Sequence, residues 1–128
     1  MRAAVCQAYG PPAVVHVEDQ PSPAIAPGHV RVKVHAAAVN FPDVLLIANR
    51  YQIAVPPPFV PGSEFAGVVI ETDDDAVGFA VGDRVVGTGL CGAFAEEVAV
   101  PTAGLSPIPD GVDERTAVAF GEIGRAHV

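Results

Sequence analysis

Proline and glycine set the first limit on this chain. Thirteen of each stand among its 128 residues, and they separate apolar segments instead of forming one low-complexity tract. Pro withholds a backbone donor and Gly weakens the interior of any regular element. Long helices are therefore excluded, and short segments joined by turns remain.

The segments alternate. "HVRVKVHAAAV" sets Val30, Val32 and Val34 on one face and Arg31, Lys33 and His35 on the other, the period of a half-buried strand. "RAAVCQAY" and "AVVHVED" read as shorter strands joined at Gly10-Pro11-Pro12. "GSEFAGVVIET" reads as a strand bent at Gly67. A turn at Gly82-Asp83 feeds another strand, "CGAFAEEVAV" gives one more, and "LSPIPDGV" is a loop or a short edge strand. Between Asn40 and Arg50 the period changes: Val44, Leu45, Ile47 and Ala48 suit a short helix, with Asn40 as its cap and Pro42 in its first turn. Asp113 is placed to cap a second helix over "DERTAVAF". Pro56, Pro57, Pro58 and Pro61 hold the stretch between them extended. About seven strands with one or two small helices predict a mainly β fold, a partly open barrel or sandwich.

Composition removes several functions. A net charge of −8 with scattered basic residues argues against a nucleic-acid partner. No apolar stretch reaches the ~20 residues of a membrane helix, and the N-terminus lacks a signal-peptide core. We expect a soluble, cytoplasmic protein. Cys6 and Cys91 form no C-x-x-C and read as small buried apolar residues. Asp73, Asp74 and Asp75 read as a solvated turn, since no calcium loop follows them.

Five segments carry a family resemblance through their order and spacing: "MRAAVCQAYGPP", "VHAAAVNFPDVL", "PPPFVPGSEFAGVV", "GFAVGDRVVG" and "GAFAEEVAVP". Together they resemble the N-terminal, GroES-like catalytic domain of a zinc-independent NADPH:quinone oxidoreductase of the medium-chain dehydrogenase/reductase superfamily. The resemblance runs from Met1 to about Gly121 and implies a GroES-like, partly open β-barrel. It also implies a homodimeric parent enzyme whose second, Rossmann domain binds NADPH. No G-x-G-x-x-G fingerprint of that domain occurs here, so we expect a part of a longer enzyme, inactive alone.

Zinc-using members of the superfamily keep a Cys ligand where this chain has Asn40. They keep a His ligand in G-H-E where this chain reads Gly62-Ser63-Glu64. An amide and a hydroxyl are poor zinc donors, the four-Cys structural lobe is absent, and His16, His29, His35 and His127 show no ligand spacing. We expect no zinc. Without a Lewis acid, the expected reaction is hydride transfer from NADPH to a quinone or an activated C=C–C=O acceptor.

The resemblance assigns the site residues. Asn40 and Asp43 match the N-x-x-D of zinc-free relatives, with Asn40 beside the nicotinamide and Asp43 ordering the loop. Both also fit as helix cap and first-turn charge. Tyr51 stands where zinc-free quinone reductases and enoyl thioester reductases keep a Tyr, so it too would face the nicotinamide and could donate to an acceptor carbonyl. The same ring could simply pack under the proline loop. Ser63 would face the cleft, Phe59 and Val60 could wall it or belong to the core, and Glu64 reads first as a buried, satisfied carboxylate. Two readings stay beside the first: an enoyl or acryloyl thioester reductase on this scaffold, and a non-enzymatic GroES-like binding module.

The last seven residues, "EIGRAHV", break with what precedes them. One frame of a common sequencing adapter encodes Ile-Gly-Arg-Ala-His-Val. We expect 122–128 to be non-native read-through and the native domain to occupy 1–121.

Overall fold

The computed structural model describes residues 1–119, so the expected tail lies outside the described residues. Seven strands form: β1 (Arg2–Cys6), β2 (Val15–Asp19), β3 (His29–Ala38), β4 (Glu64–Thr72), β5 (Arg84–Thr88), β6 (Glu97–Pro101) and β7 (Leu105–Pro107). One α-helix, α1 (Phe41–Ile47), follows β3, and residues 114–119 are helical. Five strands make an antiparallel sheet in the order β6-β3-β4-β5-β7, and β1 and β2 pair as a hairpin beside it. Backbone bonds tie the hairpin to that sheet: Ala4 N–H donates to Phe94 O at 2.8 Å, and Glu96 N–H donates to Arg2 O at 3.1 Å. The result is the mainly β architecture expected, curled around one interior. No described helix is long and apolar enough to cross a membrane.

The interior follows the alternation. Val30 and Val32 of β3, Phe65 and Val69 of β4 and Val85 of β5 are fully buried in one cluster, to which β6 adds Val98 and Val100. Burying each such side chain contributes about 1.5–3 kcal/mol. Val34 is only half-buried, because the β3–β4 register shifts between Val34 and Ala36, opposite Gly67. The bend foreseen at Gly67 has a steric cause. A Cβ there would lie 1.9 Å from the Lys33 carbonyl oxygen, so the two backbones approach as only glycine allows.

Two strand boundaries and one helix face differ from the sequence reading. The strand expected over "AVVHVED" begins at Val15, because Pro12–Val14 form a 3-10 turn. The strand expected from Cys91 begins at Glu97. The residues before it are held by the proline loop, with Gly92 N–H on Val60 O at 2.7 Å and Phe94 N–H on Pro61 O at 3.0 Å. In α1 the buried residues are Asp43, Leu46 and Ile47, while Val44 and Leu45 are half-buried. The helix turns its carboxylate inward, which a count of apolar residues alone does not anticipate.

Asp113 caps the last helical segment as expected, its Oδ1 accepting from Thr116 N–H at 2.7 Å. That segment is pinned to the sheet by Arg84, whose Nε lies 3.2 Å from Glu114 Oε1 and whose Nη2 donates to the Val112 carbonyl.

Candidate functional site

A cleft of about 180 Å³ opens where α1, Tyr51 after it, Ser63 just before β4 and the end of β5 converge. It is lined by Asn40, Pro42, Asp43, Leu46, Tyr51, Ser63, Thr88, Gly89 and Leu90. Four of the residues picked from the sequence, Asn40, Asp43, Tyr51 and Ser63, thus meet in one place although they span two dozen positions.

Local structure explains each placement. Asn40 precedes the helix with extended backbone, φ −119° and ψ 159°, as an N-cap does. Its N–H donates to Asp43 Oδ2 at 2.8 Å, and its carbonyl accepts from Asp43 N–H at 3.0 Å. This reach-back locks the first turn and leaves Asp43 only 2% exposed. Asp43 thus sits in the first turn of α1 with its carboxylate on the backbone N–H of the cap residue, the arrangement of a first-turn acid. Asn40 is both the cap and a wall of the cleft. Its Nδ2 is buried and has no hydrogen-bond partner among the described residues.

Tyr51 both packs and lines the cleft. Its ring packs on the cluster of Cys6, Leu46, Ile47 and Phe59 beneath the proline loop, and the same residue lines the cleft. The loop around it is fastened by Tyr9, whose hydroxyl donates to Val55 O at 2.7 Å.

Ser63 and Glu64 part company. Successive residues at a strand start point to opposite faces. Ser63 lines the cleft, whereas Glu64, 1% exposed, lines a separate cavity of about 230 Å³ with Thr88, Gly87 and Gly104. Gly62 makes the turn possible. Its φ is +106°, and a Cβ there would strike the Phe94 ring at 2.6 Å.

Phe59 and Val60 do not line the cleft. Phe59 is 8% exposed and belongs to the core cluster, with backbone bonds to Cys6 in both directions, at 2.8 and 3.2 Å. Val60 lies half-buried, its carbonyl engaged by Gly92. The apolar walls are instead Pro42, Leu46 and Leu90.

Thr88, Gly89 and Leu90 were not singled out from the sequence. A signal was present: "RVVGTG" is the strand that follows β4 in an antiparallel meander, so its end must lie opposite Gly62-Ser63-Glu64. The register pairs Glu64 with Thr88, and Gly89 N–H donates to Ser63 O at 2.9 Å.

The donor set is amide, hydroxyls, phenol and one carboxylate already held by Asn40 N–H. Among the described residues, no three His, Cys, Asp or Glu side chains come together as a group that could hold a metal ion. Both thiols lie off this set, and burial raises the pKa of Cys6 and of Cys91 above the ordinary thiol value.

The family model of the alcohol dehydrogenase GroES-like domain matches residues 26–110. The chain belongs to this family. It is 40% identical over 119 residues to mouse (Mus musculus) quinone oxidoreductase-like protein 2, covering 93% of this chain and 33% of the relative. A probable oxidoreductase from Mycobacterium abscessus superposes with a TM-score of 0.88 at 39% identity, over 94% of this chain and 38% of that one. The quinone oxidoreductase of Thermus thermophilus, solved also in complex with NADPH, gives 0.78 at 33% identity, over 94% and 36%. This GroES-like chain thus spans about a third of the length of the curated relatives it matches, and its likeness is to quinone oxidoreductase-like proteins.

Proposed function

We propose that this GroES-like domain forms the acceptor side of the active site in an NADPH-dependent reductase. Its acceptors would be quinones or activated C=C–C=O compounds, reduced without zinc. The observation that carries this reading is Asn40 Nδ2, buried at the cleft and without a partner among the described residues. A donor left in that state costs about 1–3 kcal/mol, and a turn of the Asn40 side chain that brings it to a carbonyl oxygen in the cleft would relieve that cost.

Three features support the reading. An Asn and a Ser supply hydrogen bonds, but neither is a strong zinc donor. Leu46, Leu90 and Pro42 make apolar walls suited to a flat ring. At about 180 Å³ the cleft is smaller than the ~300–1,000 Å³ of typical small-molecule sites, as half of a two-part site should be.

Bound NADPH supplies the hydride in such an enzyme. This chain's residues do the rest. Asn40 and Tyr51 would stand at the nicotinamide side, Asn40 donating from Nδ2 to a carbonyl and Asp43 holding Asn40 in place. Tyr51 in the same cleft favours a second reading, an enoyl thioester reductase in which the phenol would give its proton to the enolate that hydride addition leaves.

The test is NADPH oxidation by the full-length gene product, with a quinone panel and an enoyl thioester, with and without a zinc chelator. We expect quinone turnover that the chelator leaves unchanged. Asn40→Ala should lower kcat/KM about tenfold, the worth of one good hydrogen bond. Tyr51→Phe should cost only a few-fold with quinones, and about 100-fold or more with the thioester if the phenol is its acid. Loss of activity on chelation, or no turnover of either acceptor class, would overturn the proposal.

A further inference from the structure

The hairpin strand β2 has one partner, β1, and its other edge is open among the described residues. The hydrogen-bond phase of that edge can be read directly. Met1 and Gln20 exchange both backbone bonds, Gln20 N–H to Met1 O at 2.7 Å and Met1 N to Gln20 O at 2.6 Å. In an antiparallel pair such residues alternate, so by the observed register Glu18 and His16 also face β1. Val15, Val17 and Asp19 therefore present their backbone groups outward. The Val15 N–H is already bound to Pro12 O.

Other edges are blunted. β7 has three residues and ends in Pro107. β6 ends in Pro101, and the residues just before it, Phe94 to Glu96, are bonded to β1. β2 is less guarded: it has no proline and no lysine within it, and its two charges, Glu18 and Asp19, stand at one end. Its central residue, Val17, is 61% exposed.

We infer that β2 is the edge on which a second copy of this chain pairs. The side-chain order of "VHVED" is self-complementary about Val17. In an antiparallel pairing of two copies centred there, Val17 meets Val17 and the two exchange backbone bonds. Asp19 N–H then reaches the Val15 carbonyl of the other copy, the one outward group of Val15 still open. His16 falls opposite Glu18, on both sides of the two-fold axis, in the closer, non-hydrogen-bonded pairing where side chains interact most. An imidazole N–H donor thus faces a carboxylate acceptor twice. Glu18 is otherwise engaged by a neutral group, the Gln7 amide, at 3.0 and 3.1 Å. The result is a closed, isologous contact that joins two hairpins into one four-stranded sheet. A five-residue edge buries far less than the ~1,200–2,000 Å² of a stable interface, so the association is weak. It does not depend on the chemistry of the cleft.

The experiment uses the 128-residue chain. Light scattering behind size exclusion, over about 1 to 500 µM, should show the mass rising from one chain toward two. His16→Glu, which sets carboxylate against carboxylate, should shift the midpoint at least about tenfold upward. Adding Glu18→His to it restores complementarity and should bring the midpoint back. Val17→Cys, oxidised at a dimer-forming concentration, should give a covalent dimer that the parent chain does not. The Cα atoms of a hydrogen-bonded pair lie ~5.5 Å apart, within disulfide reach. Far-ultraviolet circular dichroism checks that each variant is folded. A single-chain mass at every concentration overturns the inference. So does a dimer that His16→Glu leaves intact and Val17→Cys does not cross-link.

Discussion

Gly67 shows how much one missing methyl group can decide. A Cβ at this position would sit 1.9 Å from the Lys33 carbonyl oxygen, and backbone atoms cannot swing aside as a side chain can. Gly67→Ala should cost more than about 3 kcal/mol, enough to unfold a marginal domain. A denaturation curve with an unchanged midpoint would show that β3 and β4 can separate here freely. The two thiols make a gentler test. Burial raises the pKa of both, and Cys6 is the more deeply enclosed at 0% exposure. At neutral pH both should react with a thiol reagent more slowly than free cysteine, with Cys6 the slower, and denaturant should abolish the difference. Among the residues, Asn40 was legible as a cap because a polar side chain after a strand and before Pro42 suits a helix start, while its place at the cleft came from the resemblance. Phe59 was not, because an aromatic residue beside prolines fits a pocket wall and a core equally well. Only the backbone pairing with Cys6 separates the two.

At the scale of elements, turns are fastened by carboxylates. Asp73 Oδ2 accepts from Gly28 N–H at 2.9 Å and from Asp75 N–H at 3.0 Å, joining the turn after β4 to the turn before β3. These bonds, the one from Gly28 foremost, hold the Asp73 carboxyl below the usual range. A carboxyl depressed in the folded state stabilises above its unfolded pKa, ~3.9, and that support is lost as pH falls through the folded value. Asp73→Ala should therefore melt at a lower temperature than the parent at pH ~7, with the gap closing well below pH ~4. A gap of constant size across that range would assign the effect to packing instead. Strand positions were read correctly wherever period two held, as at Val30 and Val32. The reading lost accuracy where tertiary bonds overrode the period. Residues 91–94 carry a strand-like pattern, but Gly92, Ala93 and Phe94 spend their N–H groups on the proline loop and its end. Leu46 and Asp43, three positions apart, share the inner face of α1 because the Asp43 carboxylate is held by Asn40 N–H, whereas apolar counting sends Asp outward.

At the scale of the whole molecule, large apolar side chains stand exposed in the segments that line the cleft. Val39 and Phe41, on either side of Asn40, are 75% and 73% exposed, and Leu90 is 42% exposed. With about 180 Å³ of cleft and no dinucleotide fingerprint, the 128-residue chain should bind NADPH too weakly to raise its melting temperature at millimolar cofactor, whereas the full-length gene product should show a clear rise. A matching rise in the short chain would place the cofactor site within these residues.

The position of β1 also bears on how the protein is made. This strand is hydrogen-bonded to β2, to Phe59 and to the stretch from Phe94 to Glu96. The nearest of these partners follows it within a hairpin, but Glu96, which bonds to Arg2, is synthesised 94 positions later. On a ribosome, the N-terminal hairpin must therefore wait, one side unpaired, until Glu96 has left the exit tunnel. Closure of the sheet around β1 thus comes late in translation of this chain, and strand edges left open in the interval are the kind of surface on which nascent chains associate.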